Sequence, residues 1–572
     1  MLVNIKINGL QFREDTSLTI LQVARKHGIN IPTLCYLKKE EANFEHKPAS
    51  CRVCIVEIKG KNNLVPACST YIYDGMEVYT NTPRVRQERR TIVELLLSNH
   101  PNDCLVCEKS GKCMLQELVV ELGIRNLGIR GPLSQENKYF VTGAIYRNPA
   151  KCVLCNRCTA ICDQVQSIGA ISASNRGFYT IINEPINCVN CGQCVQVCPT
   201  GALLQVDDTF KIEKLLADPK KFVIVQTAPA VRVSLGEEFG LKPGTDVTGK
   251  MITALRMIGF DRVFDTNFAA DLTIMEETHE LLGRLNSGKD LPLITSCCPG
   301  WIKFIETQYP ELINLPSSCK SPQEMFSSIV KTYYAEKNGI DPKDIIVVSL
   351  MPCIAKKEEA KREENKLNDM QATDYSISVK EFGSMLRRFG IDLSHCSEGE
   401  FDKPLGESTG AADIFANTGG VMEAVVRTAS MLINNEFPHD IEFHGVFGSK
   451  NTREAYVELD GKRLHLCVVS GLANARKVLE EIKAGKVHYD AIEVMACPGG
   501  CINGGGQPLH KKFPHSEALR LRKEGLRNID NSKQIRISSE NESIKKLYDE
   551  YLEKPNSHKA HEILHTTYKV EE

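Results

Sequence analysis

The chain has 572 residues, 42% hydrophobic and 25% charged, with a formal net charge of −2. That length has room for roughly three to five domains, and the near-neutral balance lacks the basic surface that nucleic acid or an anionic membrane demands. No apolar run approaches the ~20 residues that cross a bilayer, and Met1 to Phe12 alternates polar and apolar residues instead of forming the apolar stretch of a signal peptide. A cytoplasmic location is therefore expected. Cysteine is the outstanding residue, with 23 copies. Disulfide-dense chains are usually small and secreted, a class this chain does not fit. Fifteen of its cysteines fall before residue 200 in tight clusters, which points to free thiols binding metal.

Residues 3–12 (VNIKINGLQF) predict a hairpin turning at Asn8-Gly9. Asp15, Thr16 and Ser17 are N-cap candidates for a helix that runs to about His27 and closes at Gly28. Cys35, Cys51, Cys54 and Cys68 follow with the spacing C-x15-C-x2-C-x13-C. A small β-grasp-like domain with a four-cysteine loop suits a [2Fe–2S] cluster; the long outer gaps are less typical of zinc.

Residues 85–122 read as helical and contain His100, Cys104, Cys107 and Cys113, spaced H-x3-C-x2-C-x5-C. Alone, one histidine and three cysteines make a fair zinc site. Beside so many cluster motifs, a [4Fe–4S] cube with one imidazole ligand is the better reading, and replacing a thiolate by a neutral ring should raise its reduction potential. Cys152, Cys155, Cys158 and Cys162 form C-x2-C-x2-C-x3-C; Cys188, Cys191, Cys194 and Cys198 repeat it, and Pro199 follows. In this two-cluster ferredoxin run the fourth cysteine of each motif serves the other cube. One cube should use Cys152, Cys155, Cys158 and Cys198, the other Cys162, Cys188, Cys191 and Cys194.

Beyond residue 209, segments 222–231, 292–298, 344–353 and 491–501 read as apolar strands ending in cysteine or small residues, with helical patterns between them. This predicts a large α/β domain with its site at the strand ends. The division expected is a [2Fe–2S] domain at 1–80, a small helical His/Cys cluster domain at 81–135, a two-cluster ferredoxin-like domain at 136–209 and a catalytic domain at 210–572. Cys298, Cys353, Cys497 and Cys501 can together hold one further cube. Cys297 adjoins Cys298, and successive strand residues face opposite ways, so it is expected to be a free thiol beside the metal. Cys319, Cys396 and Cys467 have no partner motif and read as ordinary cysteines.

TSCCPGW (295–301), MPCIAKKEEA (351–360) and ACPGGCINGGGQP (496–508) closely resemble the three active-site signatures of [FeFe] hydrogenases, and the upstream clusters resemble the long monomeric form of that family. The resemblance implies reversible oxidation of hydrogen at a two-iron subsite that carries carbon monoxide, cyanide and dithiolate ligands and is joined to a [4Fe–4S] cube. It implies that Cys298, Cys353, Cys497 and Cys501 hold the cube, that Cys501 bridges to the two-iron unit, and that Lys356 reaches a cyanide ligand. Ala228, Pro229, Pro322, Gln323, Met351, Phe415 and Met495 would line the pocket. Cys297, Glu277, Glu280, Ser317 and Arg284 match the family's proton relay. Four cubes and one [2Fe–2S] cluster are thus expected, with ferredoxin or flavodoxin as electron carrier and dedicated maturation proteins for the two-iron unit.

Other readings carry their own signatures. A non-catalytic electron-transfer or assembly protein should lack the complete pocket, and a sensory relative should lack the relay cysteine. A dehydrogenase input subunit should lack TSCCPGW, and no G-x-G-x-x-G follows a predicted strand to bind a dinucleotide. His561-Glu562-Ile563-Leu564-His565 formally matches the zinc-protease pattern H-E-x-x-H, but the segment AHEILHTTY also resembles the hydrogenase family's C-terminal tail.

Overall fold

The computed structural model describes residues 1–438, 441–446, 449–509 and 512–570. It divides into two units. The first comprises Met1–Gln164, Gly169–Ile186 and Val197–Leu204; the second comprises Val165–Ile168, Asn187–Gln196 and Gln205–Glu572.

The first unit begins with strands β1 (Leu2–Ile7) and β2 (Leu10–Asp15), antiparallel as predicted. Period-two alternation buries Val3, Ile5 and Ile7. Asn8 and Gly9 both take positive φ, 50° and 87°, as the tight hairpin turn requires. Helix α1 (Ile20–Lys26) starts later than expected. Its cap is Thr19, in a reciprocal capping box with Gln22, whereas Asp15 is engaged by the N-terminal ammonium and by the Ser17 N–H. With β3 (Ile55–Ile58), β4 (Val65–Pro66) and β5 (Met76–Tyr79) the hairpin forms a sheet of order β2-β1-β5-β3-β4, in which β1 and β5 run parallel. The stretch predicted as helical over 85–122 is two helices, α2 (Pro83–Ser98) and α3 (Met114–Glu121). Pro101 disfavours helical backbone at His100, and Asn102 turns at φ 57°, so His100, Cys104 and Cys107 lie in the irregular segment between the helices and Cys113 caps α3.

The second unit is α/β. Strands β6 (Phe222–Thr227) and β7 (Arg262–Asp265) are followed by the long helix α4 (Thr266–Ser287), strand β8 (Leu293–Ile294), and helices α5 (Pro299–Gln308) and α6 (Pro322–Ile329). Then come β9 (Ile345–Met351), β10 (Tyr375–Ser378) and α7 (Gly420–Asn434). Strands β11 (His444–Val446), β12 (Ser449–Leu459), β13 (Lys462–Ser470) and β14 (Ala491–Met495) precede helices α8 (His515–Ser532) and α9 (His558–Leu564). One sheet, β7-β6-β9-β10, is wholly parallel. The other runs β8-β14-β13-β12-β11 and is parallel only across β8, β14 and β13. Buried on both faces, β6, β9 and β14 are nearly continuous apolar runs, and each enclosed aliphatic side chain contributes about 1.5–3 kcal/mol.

The strands are shorter than their apolar runs suggest. The run over 292–298 yields only two strand residues, because Cys298 is the N-cap of α5 and Pro299 its first residue. Trp301, one turn into α5, is fully buried, and its indole nitrogen has no hydrogen-bond partner. Among the described residues no helix is long and apolar enough to cross a membrane.

Candidate metal centre and active site

The parallel strands deliver the site residues at their C-terminal ends, where open α/β sheets place their ligands. Ala228 follows β6 and caps a short helix that opens with Pro229; Met351 ends β9 with Cys353 two residues on; Met495 ends β14 with Cys497 two residues on. Pro322 and Gln323 open α6, and Phe415 sits in a helical turn ahead of α7. All seven expected pocket residues (Ala228, Pro229, Pro322, Gln323, Met351, Phe415 and Met495) line one cavity of about 70 Å³, together with Cys297, Cys353, Lys356 and Cys501. A second cavity of about 30 Å³ is lined by Cys298, Cys353, Cys497 and Cys501. Cys353, Cys501, Cys297 and Lys356 border both.

Burial pushes these thiols up, Cys353 to about 12 and Cys497 well above its ordinary value. Four enclosed sulfurs facing one small cavity are a poor home for uncompensated thiolates and a fitting donor set for a cationic cluster core. Backbone and side-chain donors already point at them: the Ala496 N–H lies 3.4 Å from Cys298 Sγ, and Gln193 Nε2 lies 3.2 Å from Cys497 Sγ. The glycines beside Cys501 are required by space. A Cβ on Gly504 would lie 2.3 Å from the Pro352 carbonyl oxygen, and Gly500 combines φ 96° with a 2.7 Å clash against Ala416.

Lys356 is buried. Burial disfavours its charge, but Glu359 holds the ammonium above its usual range through a 2.7 Å ion pair. The same carboxylate accepts from Ser321 Oγ at 3.0 Å and Gln323 Nε2 at 3.1 Å. Lys356 Nζ also donates to the Cys297 carbonyl at 3.3 Å.

On α4, Glu276 and Glu277 are both fully buried, so this segment is not a solvated acidic face. Burial, aided by the charge of Glu280, raises Glu277 to about 8; its Oε1 accepts from Ser296 at 3.4 Å and its Oε2 has no partner. Burial first, and then the neighbouring Glu277, push the Cys297 thiol well up. Glu280 accepts from Ser317 Oγ at 2.7 Å and from Arg284 at 2.6 Å. Arg284 is fixed further by the carbonyls of Asp290, Leu315 and Pro316. The structure thus joins Ser317, Glu280 and Arg284 directly and sets Glu277 beside Cys297.

In the first unit, Cys35 hydrogen-bonds Cys51, and Cys54 hydrogen-bonds Cys68, which lowers one thiol of each pair and raises the other. Cys152, Cys155 and Cys158, raised by burial, also feel the charge of Cys198. The first three motif cysteines therefore lie within electrostatic reach of the fourth of the repeat. His100 is lowered to about 4 by burial, and its Nε2 has no partner, as suits a neutral imidazole ligand. Cys162 lies in the first unit, whereas Cys188, Cys191 and Cys194 lie in the second. Among the described residues every cysteine is outside a disulfide.

Residues 221–505 match the family model of the iron-only hydrogenase large subunit, C-terminal domain, and 516–571 match that of the iron hydrogenase small subunit. Residues 1–83 match a 2Fe-2S iron–sulfur cluster binding domain, 89–127 the NADH-ubiquinone oxidoreductase-G iron–sulfur binding region, and 151–202 a 4Fe-4S dicluster domain. The chain is 47% identical to the NADP-reducing hydrogenase subunit HndD of Solidesulfovibrio fructosivorans, over 99% of both chains. It is 39% identical to iron hydrogenase 1 of Clostridium pasteurianum, again over 99% of both. The chain belongs to the iron-only hydrogenases. The solved apo [FeFe]-hydrogenase of Chlamydomonas reinhardtii is 41% identical and superposes with a TM-score of 0.58, covering 64% of this chain and 99% of that one. As a hydrogenase it is an oxidoreductase that acts on hydrogen and protons and carries iron–sulfur clusters of both the [2Fe–2S] and [4Fe–4S] kinds together with the family's H-cluster.

Sequence reading missed several residues around the hydrogenase site. Glu359 lies inside the quoted signature MPCIAKKEEA, one helical turn from Lys356, a spacing that itself predicts an ion pair. Ser296, Ser318, Glu276 and His565 carried no such signal. Their partners lie on other elements, and only the fold brings them together.

Proposed function

We propose that this hydrogenase works in the cytoplasm, with Cys298, Cys353, Cys497 and Cys501 the residues that would hold the cube and Cys501 the one that would join it to the two-iron unit. When bound, that cofactor supplies heterolytic cleavage of hydrogen and removal of the electron pair. The chain's own residues then divide the remaining work. Ala228, Pro229, Pro322, Met351, Phe415 and Met495 exclude water, which strengthens every electrostatic contact inside. Lys356, steadied by Glu359, presents a cation to an anionic cyanide ligand, and Gln323 shares the same carboxylate. Cys297 holds and passes the proton, followed by Glu277, Ser317, Glu280 and Arg284. The observation that carries this reading is the free thiol of Cys297, on the same cavity as Cys501 and beside a carboxyl raised to about 8. That carboxyl is poised near neutral pH, where a proton carrier is most effective.

Electrons pass through a [2Fe–2S] cluster on Cys35, Cys51, Cys54 and Cys68, a cube on His100, Cys104, Cys107 and Cys113, and the ferredoxin-like pair, in the four domains 1–80, 81–135, 136–209 and 210–572. Ferredoxin or flavodoxin is the carrier, and maturation proteins supply the two-iron unit. A second reading of the carrier is favoured by the relative named as a subunit of an NADP-reducing hydrogenase: the electrons would pass to a companion subunit that handles the nucleotide. Reduction of purified ferredoxin by hydrogen, compared with reduction of NADP by the protein alone and after pull-down of associated chains, separates the two. Infrared carbonyl and cyanide bands in loaded protein test the active-site assignment, which fails if they are absent after maturation.

A further inference from the structure

The residues after α9 carry a buried imidazole to the relay. His565 is 7% exposed. Its Nδ1 lies 2.8 Å from Ser318 Oγ and its Nε2 lies 3.1 Å from Glu276 Oε2. Ser318 Oγ is in turn 3.4 Å from Glu280 Oε2, the oxygen that Ser317 holds. Hydrogen-bond partners therefore run without a gap from Glu280 through Ser318 and His565 to Glu276. Glu276 is fixed in place: the Tyr548 hydroxyl donates to Oε1 at 2.5 Å and the Asn556 N–H to Oε2 at 2.8 Å. A hydroxyl on one side and a carboxylate on the other orient the ring and offset the charge of an imidazolium.

His561, one turn earlier on α9, is exposed, and its ring lies tilted by 33° against that of His565 at 4.0 Å between centroids. The two histidines of the H-E-x-x-H pattern are thus the surface and the buried end of one contact. Burial, and then the neighbouring His565, hold His561 below the usual imidazole range. Glu280, Cys319 and His565 also offer metal-ligand atoms within 4.8 Å of one another, but both ring nitrogens of His565 are already hydrogen-bonded. The groups that face His565 are Glu276 and Glu280 from α4, Cys319 from the segment before α6, His561 from its own helix, and Tyr548 through Glu276.

We propose that His565 is a proton station on a second branch of the relay, meeting the carboxylate route at Glu280 and ending at Glu276, which also positions its ring. This rests on the relay reading above. In the outward direction the carboxyl proton of Glu280 moves to Ser318 Oγ while the hydroxyl proton of Ser318 moves to His565 Nδ1. The imidazolium then gives its Nε2 proton to Glu276 Oε2, 3.1 Å away, and no electrons move. Inward transfer is the reverse.

The test is hydrogen evolution by the loaded enzyme with reduced methyl viologen across pH 6–9, with infrared spectra to confirm the cofactor. His565→Gln keeps a hydrogen-bonding side chain but cannot carry charge. It should lower turnover about tenfold, less than the ~10²–10⁴-fold worth of a sole acid–base group because the first branch remains, and most at alkaline pH where protons are scarce. In His565→Ala, added imidazole should restore turnover and pyrazole, the same shape but a far weaker base, should not. Full turnover of His565→Gln at every pH, alongside an inactive Cys297→Ala, would overturn the branch alone. Full turnover of Cys297→Ala would overturn the relay reading beneath it. Equal rescue by imidazole and pyrazole, or a uniform loss across pH, would make His565 merely structural and overturn the proposal.

Discussion

Cysteines before residue 200 and cysteines after residue 290 are positioned by opposite means. Cys152, Cys155 and Cys158 are spaced so closely that seven consecutive residues present all three, and a short helical turn does the same for Cys104 and Cys107. Cys298, Cys353, Cys497 and Cys501 arrive on three separate segments, each set by a β-strand end, and meet only once two sheets have formed. Closing long loops costs more chain entropy than closing short ones, so the second set depends on the fold where the first depends on local spacing. The surroundings differ as well. Cys104 and Cys107 are partly exposed, as suits groups that exchange electrons with a partner, while the pocket cysteines sit behind a raised carboxyl and a caged lysine.

The most forceful way to break this contrast is Cys297→Ala. Turnover should fall by ~10²–10⁴-fold or more, with cluster content unchanged by iron analysis and paramagnetic resonance, because the side chain removed is not needed to hold a cluster. The variant Cys297→Asp should keep part of the rate. Next in size is deletion of residues 1–205. The remainder should still load its active site and evolve hydrogen with viologen, while ferredoxin-coupled turnover drops to a small fraction; retention of full ferredoxin coupling would show that the accessory clusters are not the wire. Glu359→Gln sharpens the comparison from the other side. It leaves the Lys356 ammonium buried without its partner, a loss of about 3–5 kcal/mol, and should lower the thermal midpoint and the cyanide-band intensity while the [2Fe–2S] signal stays at full strength.

Smaller effects follow. His100→Cys should lower the potential of one cube, read by redox titration, since a thiolate adds negative charge where a neutral ring stood; unchanged potentials, or stoichiometric zinc at this site, would count against the cube. The smallest effect concerns pH. Glu277 is raised to about 8 in the fold by burial and then by Glu280, so its protonated form is the one the fold favours. Its stabilising contribution is complete below the ordinary carboxyl range near pH 4.5 and is lost as pH climbs through 8. Thermal midpoints measured from pH 6 to 9 should therefore fall less steeply in Glu277→Gln than in the parent chain.

Much of this was legible in the sequence because its signals are short-range. The Asn8-Gly9 turn, the doubled ferredoxin motif and the three signatures each act within a few residues, and all the predicted pocket residues meet on one cavity. Local competition defeated finer expectations. Thr19 with Gln22 outbid Asp15 as the cap of α1, Pro101 interrupted the helix expected over 85–122, and Pro299 cut the strand before Cys297. What could not be read were partners distant in the chain: Ser318 with His565, Glu276 with Tyr548. No periodicity encodes such pairs, since they arise where α4, the segment before α6 and the residues after α9 converge.

The chain has a single tryptophan, and it is the buried Trp301, whose backbone N–H bonds to the carbonyl of Cys298 at 3.0 Å. All indole emission from this protein therefore originates one helical turn from the candidate cube ligand. Iron–sulfur chromophores absorb across the indole emission band, so the protein carries its own optical gauge: bright while the neighbouring cysteines are empty, dark once they are filled, and readable in real time during maturation without any added label.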